Sequence, residues 1–287
     1  MIEIGFQILA YASVLYLISV GLSITLGLLR FVNLAHGVFA MLGGYLAAHA
    51  ISGAGLSWWL ALLVVPPVVA LVAALIERVL YSRLYGRGEL DQVLFCIGLI
   101  FVAEAVARAV AGPLVMPVPI PPSLATTFML AGVPLLRHKI AVIAIGVVTA
   151  AGVLAALNRT RAGAVVRAAV DNPGMAESIG LRTRAIFTTT FALGGALAAL
   201  GGIAGAEVFA INPAYAIDVL IYAQLVVAVA GLGTPRGAFL SAVLVSLVQT
   251  LSAYFLPALG TTLLFTTVCI FLLWRPQGLF GSRASLT

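Results

Sequence analysis

One segment of the sequence concentrates the residue types that could do chemistry. Residues 159–184 carry five arginines, one aspartate and one glutamate around an Asn-Pro-Gly turn, in a chain that is only 8% charged. Charged side chains without a neighbouring nucleophile fit the recognition of a partner or of a membrane surface better than covalent chemistry. Two interpretations follow: a charged helix that floats on the membrane surface, or a docking element for a soluble partner.

The apolar residues of this segment predict two short amphipathic helices joined at Asn172-Pro173-Gly174. Arg159 and Arg161 are expected to end the preceding helix at the membrane surface. The predicted apolar face of the two short helices consists of Val165, Ala169, Ala176, Ile179 and Leu181.

No pattern in the sequence predicts catalysis. The sequence has no Ser/His/Asp arrangement with a nucleophile context, no His/Cys cluster with metal-ligand spacing and no paired carboxylates in one segment. The stretch "GLGTPRG" lacks the lysine and hydroxyl pair with which a phosphate-binding loop holds phosphates and Mg²⁺. The chain is therefore predicted not to be an enzyme and to use no metal or cofactor, so that any ATP hydrolysis would occur on another chain.

Composition shows which elements must position the charged segment. The 287 residues are 63% hydrophobic with a mean hydropathy of +1.19, whereas soluble domains are about 45–50% apolar. Because lipid offers no partner for free backbone N–H and C=O groups, such a chain must span the membrane as helices. The predicted fold class is an all-α polytopic transmembrane helix bundle, with residues 1–287 forming a single domain and residues 158–184 a loop within it.

Apolar runs of about 20 residues predict nine spans, plus or minus one. The first run lacks a basic start and a cleavage site, so a retained helix is expected rather than a signal peptide. The spans are predicted near residues 5–29, 34–52, 57–80, 92–112, 139–157, 185–206, 218–232, 237–256 and 259–274.

An odd number of spans places the two termini on opposite sides of the membrane. If the C-terminus is cytoplasmic, twelve of the 15 basic residues lie on the inner side, and only Arg108, Arg137 and Lys139 remain outside. The positive-inside rule therefore predicts an outside N-terminus and a cytoplasmic C-terminus. The first and sixth spans then run in opposite directions, which is compatible with an inverted repeat.

Two segments interrupt their spans, "LRFVNLAHGVFAMLGGYLAAH" and "AQLVVAVAGLGTPRGAFLSA". Segments broken by Gly or Pro in two halves of a transporter often mark its route or gates, although a tight turn between helices has the same pattern. For Gln224, interhelical hydrogen bonding is the alternative. The candidate route or gate residues are Asn33, His36, Gly37, Gly43, Gly44, Gln224, Gly231 and Gly233.

Small and charged residues inside the spans predict packing contacts. Gly194, Ala198, Gly202 and Ala206 form one stripe and Gly201 and Gly205 another, which predicts close packing of helices within the bundle, with a dimer interface as the alternative. Glu104 is the only acid expected well inside a span. It is predicted to pair with Arg108 four residues later, with contact to a substrate as the alternative.

Three ordered blocks carry a family resemblance. The stretch "VRAAVDNPGMAESIGLRTRAIFTTTFALGGALAALGGI" resembles the cytoplasmic signature of ABC importer permeases of the branched-chain amino acid type, the LivH-like class. The stretches "GLSITLGLLRFVNLAHGVFAMLGGYLA" and "VVAVAGLGTPRGAFLSAVLVSLVQ" are similar to two further blocks of that family. The resemblance covers nearly the whole chain.

The resemblance implies a permease subunit of an ATP-driven importer in the bacterial inner membrane, moving branched-chain amino acids or related small solutes. The implied partners are a second, LivM-like permease subunit, two cytoplasmic ATP-binding subunits and a periplasmic substrate-binding protein, with membrane lipid around them and no nucleic acid. Residues 164–181 would couple the permease to the ATPase. The pattern positions are Arg167, Asp171, Asn172, Ala176, Glu177 and Gly180.

A stand-alone channel or secondary transporter for a small neutral solute is the alternative function. In that case the loop at residues 158–184 would be only a charged float on the membrane surface.

Overall fold

The computed structural model describes residues 2–29, 33–130, 132–231 and 234–281. These residues form eleven α-helices and one two-stranded hairpin, β1 (Thr127–Leu130) and β2 (Val133–Leu136). The helices are α1 (Ile2–Leu29), α2 (His36–Ser52), α3 (Trp58–Val79), α4 (Glu89–Ala111), α5 (Arg137–Arg159), α6 (Arg161–Asp171), α7 (Pro173–Ser178), α8 (Thr183–Ala204), α9 (Tyr215–Ala230), α10 (Pro235–Phe255) and α11 (Gly260–Trp274).

Each of the nine predicted apolar runs coincides with a helix. Seven helices are long and apolar enough to cross a membrane. The other two, α2 with 17 residues and α9 with 16, are shorter. The predicted all-α polytopic bundle is therefore confirmed, while the number of spans and their orientation stay predictions.

Helix α8 lies at the centre of the bundle and packs against α1, α2 and α3. A β-carbon built on Gly21 of α1 would lie 2.5 Å from the carbonyl oxygen of Gly194 on α8. A β-carbon on Gly202 of α8 would overlap the carbonyl oxygen of Ala40 on α2. The small-residue stripe thus lets helix backbones touch, and the predicted packing within the bundle is confirmed.

On its other side α1 packs against α10. There the hydroxyl of Ser246 donates a hydrogen bond of 2.7 Å to the carbonyl oxygen of Ile8. This contact joins two apolar helices through a buried polar group, a common arrangement in lipid, where a free hydroxyl would have no water.

The outer helices expose large apolar side chains. Leu63 and Leu71 on α3, Val110 on α4 and Leu273 on α11 are each more than 70% exposed. Such a surface suits contact with lipid tails rather than with water. The outer surface of the bundle is therefore rich in large apolar side chains.

The hairpin, which the sequence analysis did not predict, joins α4 to α5. Thr127 pairs with Leu136 and Leu130 pairs with Val133 in an antiparallel register. Gly132 has φ +80°, a left-handed conformation that favours glycine in tight turns. With only four residues in each strand, the hairpin leaves the helical fold class unchanged.

The two ends of the bundle differ. At one end α1, α5 and α9 begin and α8 finishes, beside the hairpin; we call it the cavity end, because a cavity opens there. The opposite end, which carries α6 and α7, is the loop end. Helix α8 runs from one end to the other and connects both.

The glycine contacts make a first prediction. In Gly202→Ala the new methyl group would overlap the backbone of α2, so the two helices must separate at a cost of about 1–3 kcal/mol. The matched control is Gly98→Ala on α4, where nothing lies within 4 Å of the added carbon. We expect thermal unfolding of the detergent-purified protein to shift downward for Gly202→Ala alone. Equal midpoints for the two variants would contradict the packing role.

Candidate functional site

The loop end is built by two short helices with capped starts. The hydroxyl of Thr160 accepts the N–H of Gly163 at 3.0 Å and starts α6. The side-chain oxygen of Asn172 accepts the N–H of Met175 at 3.0 Å and starts α7. Both are N-caps that satisfy amide groups a helix leaves free. The predicted helix pair is confirmed, but Arg161 begins α6 and does not end α5.

Helix α7 is joined to the start of α8 by a side-chain hydrogen bond. The carboxylate of Glu177 accepts a hydrogen bond from the Thr183 hydroxyl, and the N–H of Leu181 donates to the carbonyl of Ala176 at 3.0 Å. Gly180, with φ +87°, makes the reversal between the two helices. Because Ala176 is only 2% exposed, this side of α7 is held against the bundle.

The coupling candidates from the sequence lie within this region. Arg167 and Asn172 are exposed, as are Glu177 and Gly180, and Ala176 is buried. Asp171 is the last residue of α6. The structure therefore places all six on α6, on α7, at the junction between them or on the turn that follows α7.

The predicted apolar face is only partly correct. Ala169 and Ala176 are buried, but Ile179 is 69% exposed. Met175, one helical turn earlier, is 61% exposed. Ile179 follows the last residue of α7 as its C-cap, so it does not share the buried side of that helix with Ala176. Met175 and Ile179 together form an exposed apolar patch, which we call the α7 patch.

A buried carboxylate that sequence reasoning missed lies near this region. Glu77 in the last turn of α3 is 2% exposed. Its oxygens accept hydrogen bonds of 2.6 Å from the hydroxyls of Tyr85 and Thr188. Glu104 is therefore not the only acid inside a span. Because Glu77 precedes Arg78 at a helix end, its sequence context resembles that of an ordinary surface charge.

The polar residues at the start of α2 hold helices together. Asn33 accepts a hydrogen bond of 2.8 Å from the Tyr81 hydroxyl through its side-chain oxygen. His36 donates from Nε2 to the carbonyl oxygen of Ile18 at 3.0 Å. Both side chains are 1% exposed. They join α2 to α1 and to the segment after α3.

The other route or gate candidates lie at contacts between helices or near a helix end. A β-carbon on Gly37 or Gly43 would overlap the backbone of α9 or α8, and one on Gly44 would overlap the Ile211 side chain. Gly231, with φ +93°, ends α9, and Gln224 is half-buried within α9. Gly233 lies outside the described residues.

The cavity end contains a separate open cavity, lined by apolar and ionisable side chains. The cavity has a volume of about 1230 Å³ and is bounded by the ends of α1, α5, α8, α9, α10 and α11. Its ionisable lining includes Glu3, His138, Lys139, Glu207 and Asp218. None of the described route or gate candidates lines it. Sequence reasoning missed these residues because they are far apart along the chain.

A hydrogen bond between His138 and Glu207 closes one side of the cavity. His138 Nδ1 lies 2.7 Å from Glu207 Oε2, and the histidine side chain is 3% exposed. The hydrogen bond from His138, with a further contribution from the charge of Lys139, lowers the pKa of the Glu207 carboxyl against the opposing effect of burial. Lys139 Nζ donates to Gln7 Oε1 at 2.7 Å. These groups tie α5 to α1 and to the end of α8.

A polytopic helix bundle with a cavity at one end and two short helices at the other is compatible with a membrane transport protein. Residues 4–273 match the family model described as "Branched-chain amino acid transport system / permease component", and the chain belongs to that family.

Curated relatives agree with the family. The chain is 27% identical to the high-affinity branched-chain amino acid transport system permease protein BraD of Pseudomonas aeruginosa, over 95% of this chain and 93% of BraD. It is 24% identical to the LivH proteins of Salmonella typhimurium and Escherichia coli K12, over 92% of this chain and 90% of each relative. No solved structure matches this chain.

Glu77 supports a second prediction. Glu77→Ala removes the acceptor for two hydroxyl groups in a buried place and is expected to cost about 1–3 kcal/mol of folding free energy. Glu77→Gln keeps one acceptor oxygen and should recover part of that loss. Thermal unfolding in detergent is the measurement.

The matched control for Glu77 is Glu104→Ala on α4. Glu104 pairs with Arg108 at 2.5 Å, as predicted, but the arginine side chain is 56% exposed. Exposed pairs contribute about 0–1 kcal/mol. If Glu104→Ala destabilised the protein as much as Glu77→Ala, the special role of the buried carboxylate would be refuted.

Proposed function

We propose that this chain is the membrane-spanning permease subunit of an ATP-driven ABC importer, which moves branched-chain amino acids or related small amino-acid-like solutes into the cytoplasm. The observation that carries the proposal is the α7 patch, two exposed apolar side chains on a short capped helix and on the residue that follows it. Membership of the permease family supports it. A surface float would need only amphipathicity, whereas this helix is tied to the central helix of the bundle.

The proposed coupling is mechanical. An ATPase that grips the α7 patch would pull on α7, and the Glu177–Thr183 hydrogen bond together with the buried Ala176 would pass the movement to α8. Because α8 packs against three other helices, it would move them as a rigid body. In this proposal the exposed charges Arg167 and Glu177 provide polar contacts at the rim of the patch.

The route is proposed to open by movement of helices rather than through a preformed pore. The contact of Gly43 keeps α2 attached to α8, while the backbone contact of Gly37 allows α2 to slide against α9 without side chains in the way. Asn33 and His36 would hold the start of α2 as it moves. On this proposal the glycine segments act as gates and the cavity is the entrance.

The orientation and the partners belong to the same proposal. The positive-inside rule puts the loop end in the cytoplasm and the cavity end outside the inner membrane of a bacterium. The proposed assembly contains a second permease subunit, two cytoplasmic ATP-binding subunits and a periplasmic substrate-binding protein. The printed names of the relatives, which refer to a high-affinity branched-chain amino acid transport system, support this choice of solute.

Co-purification tests the assembly. Tagged chain expressed in its own cells should retain a second permease and ATP-binding subunits, and the complex in vesicles should accumulate leucine only with ATP and the binding protein. Leucine accumulation by the purified chain alone, without ATP, would instead show a stand-alone carrier.

The α7 patch gives a third prediction. Met175→Asp or Ile179→Asp places a charge in an exposed patch, so the chain should still fold while losing at least tenfold in ATPase binding, about 1.4 kcal/mol or more. The control is Leu90→Asp, the same kind of change at a side chain that is 71% exposed near the start of α4. Co-purified ATPase per permease is the readout. Full retention of the ATPase by both patch variants would refute the docking role.

A further inference from the structure

The cavity at the cavity end of the bundle carries a net negative charge. Glu3, Glu207 and Asp218 line it against one lysine, Lys139, while His138 adds no charge when it is neutral. A net negative space attracts cations and repels anions, and low-dielectric walls strengthen that preference. The carboxylates that already have a partner in the cavity must therefore be distinguished from those that do not.

One of the three carboxylates already has a hydrogen-bond partner. Glu207 is bound by His138 at 2.7 Å and also experiences the charge of Lys139. By contrast, Asp218 and Glu3 form no ion pair within the described part of the chain. Asp218 is exposed in the first turn of α9, on the cavity wall. Asp218 is thus a carboxylate available to a ligand.

Two residues that line the cavity also carry buried acceptor atoms to which no described group donates a hydrogen bond. Within the described ranges, Gln249 Oε1 and His138 Nε2 are buried and have no hydrogen-bond partner. Because His138 uses Nδ1–H to bind Glu207, its Nε2 is an acceptor in the neutral ring. Buried polar atoms are normally hydrogen-bonded. Both residues line the cavity.

An aromatic wall faces the same space. The rings of Tyr11, Phe209 and Tyr222 all line the cavity, with centroids 5.2 to 6.4 Å apart. Aromatic faces attract ammonium groups and also accept apolar side chains. Together with an unpaired carboxylate, this wall suits a ligand that is both cationic and apolar.

We infer that the cavity binds the ammonium group of a small amino-acid-like zwitterion before it enters the bundle. Asp218 is the counter-charge, the aromatic wall holds the apolar side chain, and Lys139 faces the ligand's carboxylate. Lys139 is available because its hydrogen bond goes to the neutral amide of Gln7. The inference rests on the proposed function, and it adds that the permease itself selects for a free amine.

The size of the cavity fits transient binding. Tight small-molecule pockets have about 300–1,000 Å³, so 1230 Å³ leaves room for water around one amino acid. Binding should therefore be weak, as a solute in transit requires, and measurable with ligand-observed NMR on the full chain in nanodiscs.

Three isosteric probes separate the charges. Leucine carries both charged groups, 4-methyl-2-oxopentanoate lacks the ammonium group, and 3-methylbutylamine lacks the carboxylate. We expect leucine and the amine to bind and the oxo acid not to bind. An oxo acid that binds as well as leucine would overturn the inference.

Two variants assign the roles within the cavity. Asp218→Asn should weaken leucine and the amine roughly 10- to 100-fold, because it removes a charge-assisted contact. Lys139→Met should weaken leucine but leave the amine unchanged. The control is Asp91→Asn, the same change at an exposed acid near the start of α4, where all three probes should behave as with the unmodified chain. Unchanged binding by Asp218→Asn would overturn the inference.

Uptake by the full assembly distinguishes the two proposals. If the assembly accumulates leucine but Asp218→Asn neither binds it less nor slows its uptake, the cavity site is wrong and the importer stands. If the assembly fails to accumulate leucine while amine-selective binding depends on Asp218, the site stands and the importer function is wrong.

Discussion

The structure depends on direct backbone contact between α8 and its neighbours. Lipid supplies no hydrophobic force that drives helices together, so they associate through close packing and interhelical hydrogen bonds. Gly21 meets Gly194, Gly43 meets Ala199, and Gly202 meets Ala40 at distances that leave no room for a side chain. Each contact brings a helix axis close to α8 and multiplies dispersion contacts along its length. Larger residues at these positions would force the bundle apart.

Helix α8 also links the two ends of the molecule. At its start Thr183 binds Glu177 of α7, and Thr188 binds the buried Glu77 of α3. Just beyond its end Glu207 binds His138 of α5 at the cavity. A helix of 22 residues that is held at both ends and packed along its middle is rigid. The loop end and the cavity are thus mechanically connected, which gives the proposed coupling a physical route.

The sequence predicted the elements well and the polar contacts poorly. Each of the nine apolar runs located a helix of the bundle, since lipid requires each span to satisfy its own backbone. The Asn-Pro-Gly turn located the break between α6 and α7, because Asn172 can cap the second helix. By contrast, the burial of Glu77 depends on hydroxyls from α8 and from the segment after α3. The exposure of Ile179 depends on how the turn after α7 lies against the bundle. Neither the burial of Glu77 nor the exposure of Ile179 can be recognised from the neighbouring residues in the sequence.

The sequence by itself therefore determined the class of protein, the helices, the small-residue stripe and the charged loop. These features follow from composition and local spacing, because each helix satisfies its own backbone whatever its neighbours are. Only the tertiary structure decided which polar groups meet. The cavity brings together Glu3, His138, Glu207 and Asp218, which lie at the ends of helices that are remote in sequence. Their proximity is a product of how the helices pack, and packing depends on the whole set of contacts around α8.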